Sequence, residues 1–441
     1  MSVNIFNKLK NYANPAYRNV NSVARQRTRN DSAIQPDAKK ISAMKLREEQ
    51  ILNNTDKYNN AAEAYFQKLR DAQYLRQKPF YNVRDGYIEQ IRFAVLNYCL
   101  NISLADTVLD FGAGTCWASA LLNKMGIKTI SLDVSGTALE IGKEVFSMDK
   151  RQRMDLNPQF LTYDGHRIPL EDGSVDRIVC LSAFHHIPNQ QEILTEIYRV
   201  LKEGGKVGLS EPFSFEPGPL HSQNKDSIRE TETYGVLEND IYLYDFQQKT
   251  EAVGFTNCFL MPFMELDNTK FTLDEYHSFL RNRDASPTEK IHSLITHAPL
   301  IMLEKGEERA DSRHPRILRA GIKIREFVRG VKAGSTVVVR AEVENIGDTL
   351  WLSRPEADIC RVSLGVRINR NNEMIEFAGR GLLARDIAPG EECEITLAFT
   401  APEEKGRYVL EFDMVNELSC WFKDVGSEPL TMELEVVNDP G

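Results

Sequence analysis

The chain is 441 residues long, with 42% hydrophobic residues, 27% charged residues and a formal net charge of −10. The length predicts two or three domains, and the negative charge argues against nucleic acid as the main partner, because nucleic-acid-binding domains usually present a basic face. The sequence contains no run of 18 apolar residues and no apolar secretion signal at its start, so neither a membrane span nor export is predicted.

The cysteines are widely spaced and form no C-x-x-C pair. Such spacing supports neither a disulfide framework nor a metal site. We therefore expect a reduced, cytoplasmic protein that binds no metal. The seven cysteines are Cys99, Cys116, Cys180, Cys258, Cys360, Cys393 and Cys420.

Residues 1–75 are polar and locally basic, and Pro15 and Pro36 interrupt them. This composition predicts an arm with short helices rather than a domain. Residues 39–78 follow a helical pattern. The start of the arm is open to two interpretations, which are a solvated arm folding over a neighbour and peripheral contact with a membrane surface. The second depends on a short apolar face formed by Ile5, Phe6, Leu9 and Tyr12.

The most informative stretch is an apolar run that leads to Asp110 and then turns through Gly112 and Gly114 before a helical pattern begins. Strand, glycine turn and helix start form the first half of a Rossmann-like βαβ unit. Glycine suits the turn because a ligand must approach bare backbone there and because other residues resist the φ values. The second strand, residues 128–132, ends at Asp133, where a ribose diol needs a carboxylate.

The spacing of this turn differs from that of a dinucleotide site. Asp110 precedes the first glycine by two positions, which gives D-x-G-x-G, whereas G-x-G-x-x-G has no acid there. A carboxylate at the turn would repel a pyrophosphate, but it suits the amino group of an amino-acid ligand. Cys116 stands where the longer D-x-G-x-G-x-G form has a third glycine.

At these residues the chain resembles the class I S-adenosylmethionine (SAM) methyltransferases, with a core similar to the type 11 methyltransferases. Three further blocks extend the resemblance: residues 160–165 resemble the adenine-contacting segment, residues 176–182 the fourth strand, and residues 198–207 the helix, glycine turn and fifth strand. Several blocks in the same order are far more specific than one glycine motif. The resemblance implies a Rossmann-like α/β domain with a seven-stranded mixed sheet and with S-adenosyl-L-methionine as cofactor.

The resemblance also implies which residues hold the cofactor. Asp110, Gly112 and Gly114 correspond to the residues that hold the methionine end, Asp133 to the ribose ligand and Asp164 to the adenine ligand. The residues predicted in this way are Asp110, Gly112, Gly114, Cys116, Asp133, Asp164, Gly165 and Ser182.

The segment before Pro79 resembles an entry segment that many SAM methyltransferases lay over the bound cofactor. By this resemblance, Tyr74 and Lys78 close the cofactor pocket. The alternative is that the segment is only a helix terminus with an aromatic plug, because proline ends the helical pattern there.

The candidate catalytic residues follow the fourth and fifth strands. His185 and His186 come after the fourth strand, Glu211 follows the fifth, and His221 lies in the irregular stretch beyond it. Ligands of open α/β sheets sit outside the carboxyl ends of the strands, so the histidine loop should face the transferred methyl group. A histidine near neutrality can take the proton of a hydroxyl acceptor. Adjacent residues cannot both point inward, so we expect at most one of the two neighbouring histidines to be catalytic, and the other to hold the loop.

Glu211 is a further candidate for orienting the acceptor or the base. The stretch from residue 213 to residue 240 is long and irregular, with two prolines near its start. Long loops of this kind inside compact domains are usually lids or binding loops, so we assign acceptor recognition to it.

Beyond a charged linker, residues 306–316, the hydrophobic period changes to two. About seven short strands punctuated by turn signals predict an immunoglobulin-like β-sandwich over residues 317–441. Residues 345–351 and 388–390 resemble sandwich domains attached to bacterial surface-polysaccharide enzymes, where such a domain binds glycan or positions the polymer. Trp351 and Trp421 either stack on sugar rings or fill the sandwich core. The predicted domains are thus 1–75, 76–305 and 317–441.

Together these features predict a bacterial, cytoplasmic SAM-dependent O-methyltransferase for a sugar hydroxyl of a cell-surface polysaccharide or glycan intermediate. A methyltransferase for a small lipid or secondary metabolite is the alternative enzyme. A SAM-binding module without turnover is the alternative of another class. The expected partner is a sugar or glycan acceptor, with no nucleic acid, and the sequence indicates neither the methylated position nor the oligomeric state.

Overall fold

The computed structural model describes residues 38–214, 232–261, 272–274, 277, 300–308, 310–355, 358–371 and 373–437. The predictions made for residues 1–37, and the prediction that His221 is catalytic, fall outside these residues. Within the described ranges, no helix is both long enough and apolar enough to cross a membrane.

The first domain is built on one mixed sheet of seven strands. Their bounds are β1 Thr107–Phe111, β2 Lys128–Asp133, β3 Gln159–Thr162, β4 Val175–Leu181, β5 Leu201–Ser210, β8 Asn257–Met261 and β9 Leu300–Glu304. The strand order is β3-β2-β1-β4-β5-β9-β8, with β9 antiparallel to both of its neighbours. Two short strands, β6 Phe213–Ser214 and β7 Ile241–Tyr242, pair apart from this sheet. The predicted Rossmann-like fold with a seven-stranded mixed sheet is confirmed.

Helices cover both faces of the sheet. The central strands are buried at nearly every position, as expected of parallel strands that are covered on both faces. Phe93 and Leu122 pack on one face, and Ile193 and Phe246 pack on the other. The helices are α4 Val83–Leu100, α5 Trp117–Lys124, α6 Gly136–Met148, α7 Gln190–Val200 and α8 Leu243–Val253.

Three helices precede this domain in the chain, namely α1 Ala38–Leu52, α2 Thr55–Lys68 and α3 Gln73–Gln77. They dock on the domain through ion pairs and hydrogen bonds. Lys249 of α8 pairs with Glu48 of α1 at 2.5 Å, and Arg76 of α3 pairs with Glu144 of α6 at 2.7 Å. The predicted helical arm is therefore helical from residue 38 onwards, and it packs against the first domain.

The C-terminal part is all β, as predicted. Its strands are β10 Ala320–Glu326, β11 Gly330–Lys332, β12 Thr336–Asn345, β13 Val362–Arg370, β14 Glu373–Leu382, β15 Glu392–Thr400, β16 Gly406–Asn416, β17 Cys420–Trp421 and β18 Leu430–Val437. They form a sheet β10-β12-β15 and a sheet β11-β18-β16-β13-β14, with β17 beside β16. Val337, Val339 and Val343 point into the core, as the period of two requires. The immunoglobulin-like type of this region stays a prediction.

The two tryptophans of the all-β region have different surroundings. Trp351 is fully buried, and its ring centroid lies 5.4 Å from that of Phe422, so Trp351 fills the core. Trp421 is half-buried, and the guanidinium of Arg367 lies 3.6 Å from its ring centroid. One face of the Trp421 ring is therefore occupied by an arginine.

The predicted linker packs between the two domains. Ser312 and His314 are buried there, and the amide nitrogen of Asn416 donates to the carbonyl oxygen of Ser312 at 2.7 Å. Nε2 of His314 lies 2.9 Å from Oδ1 of Asp106, the residue before β1. Burial alone would raise the pKa of Asp106, but the hydrogen bond with His314 and the charge of Arg177 lower it. The segment thus joins both domains through buried polar contacts.

Candidate active site

A cavity of about 360 Å³ opens beyond the carboxyl ends of β1, β2 and β4. The strand order reverses between β1 and β4, and this switch point is where open α/β sheets bind ligands. The cavity is lined by Tyr58, Asn59, Ala62, Tyr65, Phe66, Lys78, Pro79, Tyr81, Glu89, Gly112, Ala113, Gly114, Thr115, Trp117, Asp133, Val134, Tyr163, Leu181, Ser182, Ala183, His186, Ile187, Val236, Leu237 and Glu238.

The glycine turn forms one wall of the cavity with bare backbone. Gly112 has φ +69° and Gly114 has φ +52°, values that other residues adopt reluctantly. A Cβ atom on Gly112 would lie 2.3 Å from the Cβ of Ala183. The first glycine is therefore required both by its conformation and by the close approach of the loop after β4.

Asp133 is the last residue of β2 and lines the cavity, as the sequence predicts. Oδ2 accepts a hydrogen bond from the amide of Gly114, and Oδ1 accepts one from the amide of Ser135, both at 2.8 Å. Burial raises the pKa of Asp133, and these two hydrogen bonds oppose the rise. The bonds fix the carboxylate next to the glycine turn, where each oxygen keeps a further lone pair.

Asp110 does not line the cavity. Its Oδ2 atom accepts hydrogen bonds from the backbone amide of Ser119 at 3.0 Å and from the Ser119 hydroxyl at 2.7 Å. Burial raises the pKa of Asp110 to about 6, although these hydrogen bonds favour the charged form. Direct contact with the methionine end, which the resemblance implied, is not what this geometry provides. The side chain instead ties the end of β1 to α5 behind the turn.

Four other residues assigned to the cofactor also lie off the cavity wall. Cys116 precedes α5 with φ +61°, and its buried sulfur packs against Gly142. Asp164 is exposed, and its Oδ1 atom accepts hydrogen bonds from the backbone amides of His166 and Arg167. Gly165 faces the side chain of Asn59, and the hydroxyl of Tyr74 lies 3.1 Å from that of Tyr65. The assigned residues that do line the cavity are Gly112, Gly114, Asp133, Ser182 and Lys78.

Sequence reasoning missed an aromatic wall. Tyr58, Tyr65 and Phe66 line the cavity from α2, and Tyr81 and Trp117 line it as well. The helical pattern of α2 was visible in the sequence, and Tyr65 was a recognisable apolar position. The sequence gives no signal that α2 turns back over the carboxyl end of the sheet, because that depends on contacts with distant residues.

His185 lies beneath the cavity and forms a buried ion pair. Its Nδ1 atom is 2.6 Å from Oε2 of Glu211, and its Nε2 atom is 3.5 Å from Oε2 of Glu238. Burial alone would lower the pKa of His185, but the two carboxylates raise it to about 9. Burial would likewise raise the pKa of Glu211, and the bond with His185 lowers it instead.

Glu211 has a structural task in addition to this ion pair. Its Oε1 atom accepts hydrogen bonds from the backbone amides of Ala183 at 2.9 Å and Phe184 at 3.0 Å. Glu211 therefore holds the loop after β4 in place and fixes the ring of His185. It does not line the cavity, so its predicted role in orienting a group is indirect.

His186 lines the cavity, unlike its neighbour. Its Nδ1 atom is 2.6 Å from the carbonyl oxygen of Leu237. A carbonyl oxygen can only accept, so Nδ1 carries the hydrogen and Nε2 keeps a free lone pair. Burial, together with the nearby charge of His185, lowers the pKa of His186 to about 4. The expectation that at most one of the two histidines is catalytic stays a prediction.

The loop predicted to recognise the acceptor supplies part of the cavity wall. Val236, Leu237 and Glu238 line it, and Glu238 is 8% exposed. The region was recognisable as a binding loop from its length and irregularity. Glu238 itself carried no signal, because it lies far along the chain from both histidines.

Residues 109–209 match the family model described as "Methyltransferase domain". The chain is 31% identical over 121 residues to demethylmenaquinone methyltransferase of Clavibacter sepedonicus, which covers 27% of this chain and 46% of that protein. It is 34% identical over 113 residues to malonyl-[acyl-carrier protein] O-methyltransferase of Marinomonas sp. (strain MWYL1), covering 25% and 40%. The matched region thus spans less than half the length of these relatives.

Among solved structures, phosphoethanolamine N-methyltransferase 2 of Haemonchus contortus in complex with S-adenosyl-L-methionine is similar over 49% of this chain and 52% of that chain. The sequence identity is 17% and the TM-score is 0.35. The family match covers the glycine turn, β2, β4 and most of β5, which are the elements that build the cavity. The glycine turn and the strands that build the cavity therefore belong to the part of this chain that matches a methyltransferase domain.

Proposed function

We propose that the protein transfers the methyl group of SAM to a hydroxyl group of a sugar, in a cell-surface polysaccharide or a glycan intermediate. The observation that carries this proposal is the position of His186, whose unprotonated Nε2 belongs to a side chain in the cavity wall. The Glu238 carboxylate lies beside it, with Oε1 3.4 Å from Nδ1 of His186.

The cavity residues suit the cofactor. Gly112 and Gly114 offer bare backbone for the methionine end, and Asp133 offers lone pairs to the ribose hydroxyls. When bound, SAM supplies an electrophilic methyl carbon. The chain's part is to hold the acceptor oxygen in line with that carbon at about 3–3.5 Å, and such positioning can supply roughly 7–11 kcal/mol.

His186 is the group we assign to the acceptor proton. A hydroxyl oxygen that gains a methyl group must lose its hydrogen, and a base positioned to take it contributes typically 10²–10⁴-fold. The hydrogen bond from Nδ1 to Leu237 fixes the tautomer that leaves Nε2 able to accept. His185 does not line the cavity. Its ion pair with Glu211 positions the loop that follows β4.

The sugar acceptor is supported by the all-β domain, whose sequence resembles glycan-binding sandwiches of polysaccharide enzymes. The alternative is a small lipid or secondary metabolite. It is supported by the aromatic cavity wall, which favours an apolar acceptor. The names of the matched relatives, a demethylmenaquinone and a malonyl-carrier-protein methyltransferase, point to acceptors other than polysaccharide.

The test is to incubate the full chain with methyl-labelled SAM and with separate glycan and lipid extracts of bacterial cells. We expect label in the glycan fraction, loss of labelling in His186→Gln, and unchanged calorimetric affinity for SAM in that variant. His166→Gln is the matched control, because His166 also contacts carboxylates but lies outside the cavity. Label confined to lipid would refute the sugar acceptor. Tight SAM binding without labelling of any extract would identify a binding module.

A further inference from the structure

We propose that His185, His186 and Glu238 form a binding site for one divalent transition-metal ion. One ring nitrogen of each histidine and one carboxylate oxygen of Glu238 lie within 4.8 Å of one another. His185 and Glu238 are buried, and His186 is partly buried. Small movements of these side chains would bring all three ligand atoms to the roughly 2.0–2.2 Å that histidine nitrogen and carboxylate oxygen adopt around zinc.

The hydrogen bonds around the two histidines are those expected of metal ligands. A ligating histidine usually donates its other ring N–H to a carboxylate or a backbone carbonyl. Nδ1 of His185 is bonded to the Glu211 carboxylate, and Nδ1 of His186 is bonded to the carbonyl of Leu237, both at 2.6 Å. The bond to Glu211 fixes the ring of His185 and leaves Nε2 of His185 available for ligation. The contact of His186 with Glu238 is made by Nδ1, which lies 3.4 Å from Oε1. Nε2 of His185 lies 3.5 Å from Glu238.

The charges of the group favour a cation. Three carboxylates surround the histidines, those of Glu211, Glu238 and Asp240, and Asp240 is close enough to interact electrostatically with both His185 and Glu238. A single proton on His185 would leave this buried group negatively charged. A divalent ion would replace that proton and neutralise more of the negative charge. This matters because a buried charge without a partner is costly.

The ligands indicate which metals the site would take. Two imidazoles with one carboxylate suit Zn²⁺, Fe²⁺ or Co²⁺, whereas Mg²⁺ and Ca²⁺ prefer all-oxygen ligands. Three protein ligands leave coordination positions open, and His186 and Glu238 both line the cavity. If the proposed O-methylation is correct, an acceptor hydroxyl would occupy an open position. The ion would then make the hydroxyl acidic in place of the free imidazole of His186.

The site is tested with metal alone, so the result does not depend on the proposed reaction. The metal-free full chain is titrated with Co²⁺ in the absence of SAM and acceptor, and binding is followed by calorimetry and by the visible absorption of Co²⁺. We expect one ion per chain. Glu238→Gln should weaken binding at least about 100-fold, and Glu211→Gln about 10–100-fold, as is typical of a residue that orients a ligand.

His166→Gln is the matched control and should bind Co²⁺ as the parent does, because His166 lies near Asp56 and Glu192 but outside the group. Far-ultraviolet circular dichroism and SAM affinity show whether each variant is folded. The proposal is overturned by absence of stoichiometric Co²⁺ binding, or by binding that folded Glu238→Gln retains. Either result would leave a protonated His185 as the bridge between Glu211 and Glu238.

Discussion

The carboxylate of Glu63 accepts hydrogen bonds from both the hydroxyl and the backbone amide of Thr137, at 2.6 and 3.2 Å. Thr137 lies in the first turn of α6, and Ser135, the residue that caps this helix, donates its hydroxyl to Glu63 at 2.6 Å. A carboxylate is favourable at a helix N-terminus because it meets free amides and the positive end of the helix dipole. Glu63 therefore holds α2 against the start of α6. Through this contact it positions Tyr58, Tyr65 and Phe66, the part of the aromatic wall that α2 contributes to the cavity.

Replacing Glu63 by alanine should loosen α2 and weaken SAM binding. Hydrogen bonds to a charged group contribute about 1.5–3 kcal/mol, and partial exposure reduces this value, so we expect a roughly tenfold rise in the SAM dissociation constant. Isothermal titration calorimetry measures it. Glu140→Ala is the control, since Glu140 lies on α6, the helix that Glu63 contacts, but pairs on the surface with Arg70. Equal affinities of the two variants would contradict the role of Glu63.

The two aspartates assigned to the cofactor should differ in importance. Asp133→Asn places an amide group where both oxygens now accept backbone hydrogen bonds, so we expect SAM affinity to fall by about 100-fold. Asp164→Asn should change affinity by less than about threefold, because that side chain is exposed and lies off the cavity wall. Comparable losses of SAM affinity in both variants would instead support the contact with adenine that the resemblance implied for Asp164.

Gly112→Ala should be more damaging than Gly173→Ala, although both glycines have positive φ. A left-handed conformation costs a non-glycine residue about 1–2 kcal/mol, which applies to both variants. At Gly112 the new methyl group would also collide with Ala183, whereas at Gly173 the nearest atom lies 4.0 Å away. We expect Gly112→Ala to lose SAM binding and Gly173→Ala to keep it, as measured by calorimetry. If the two variants bind SAM equally well, the contact between the new methyl group and Ala183 is relieved by a small movement.

Asp413 should make the stability of the protein depend on pH. Burial raises the pKa of Asp413 to about 6, and its Oδ1 atom has no hydrogen-bond partner among the described residues. A pKa raised on folding means that this group's contribution to stability is fully present below about pH 4, where the carboxyl is protonated in both states. The contribution is lost as pH rises through about 6.

The free energy of unfolding of the parent, relative to Asp413→Asn, should therefore fall by about 1–2 kcal/mol between pH 4 and pH 7.5. Urea unfolding at both pH values measures this difference, and the subtraction removes the titration of groups common to both proteins. A difference that does not change with pH would mean that Asp413 is hydrated in the folded state.

His314→Ala should lower the free energy of unfolding by about 2–4 kcal/mol, because it leaves Oδ1 of the buried Asp106 without its histidine partner. Chemical denaturation measures the change. His166→Ala, which alters a partly exposed histidine with carboxylate partners, should cost less than about 1 kcal/mol. An equally small effect at His314 would indicate that water replaces the lost contact.

The sequence was informative where one local pattern determines the structure. The acid–glycine turn places Gly112, Gly114 and Asp133 at the cavity because strand, turn and helix are neighbours in the chain. The alternation of Val337, Val339 and Val343 likewise indicates a sheet face with no information from elsewhere. Local periodicity and turn chemistry are enough for such features.

The sequence was less informative where the structure depends on the direction of a side chain or on a contact with a residue that is distant in the chain. The motif implied that Asp110 binds the ligand. In the structure the carboxylate of Asp110 accepts a hydrogen bond from Ser119, and the motif does not predict that bond. The pairing of Glu238 with the two histidines depends on how a long loop folds back over the sheet. The different surroundings of His185 and His186 follow from Glu211 and Leu237, which lie on other segments.

The packed junction has a consequence for how this chain could be divided or recombined. A fragment that stops before residue 306 would expose Asp106 and Arg177, which now face His314 and Glu308. Each of these charged groups would lose a partner, and apolar surface of the first domain now covered by the junction would meet water, so the β-rich part forms a wall of that domain and is not a detachable appendage. Grafting a different binding module here would require transplanting the junction and the surface it covers together.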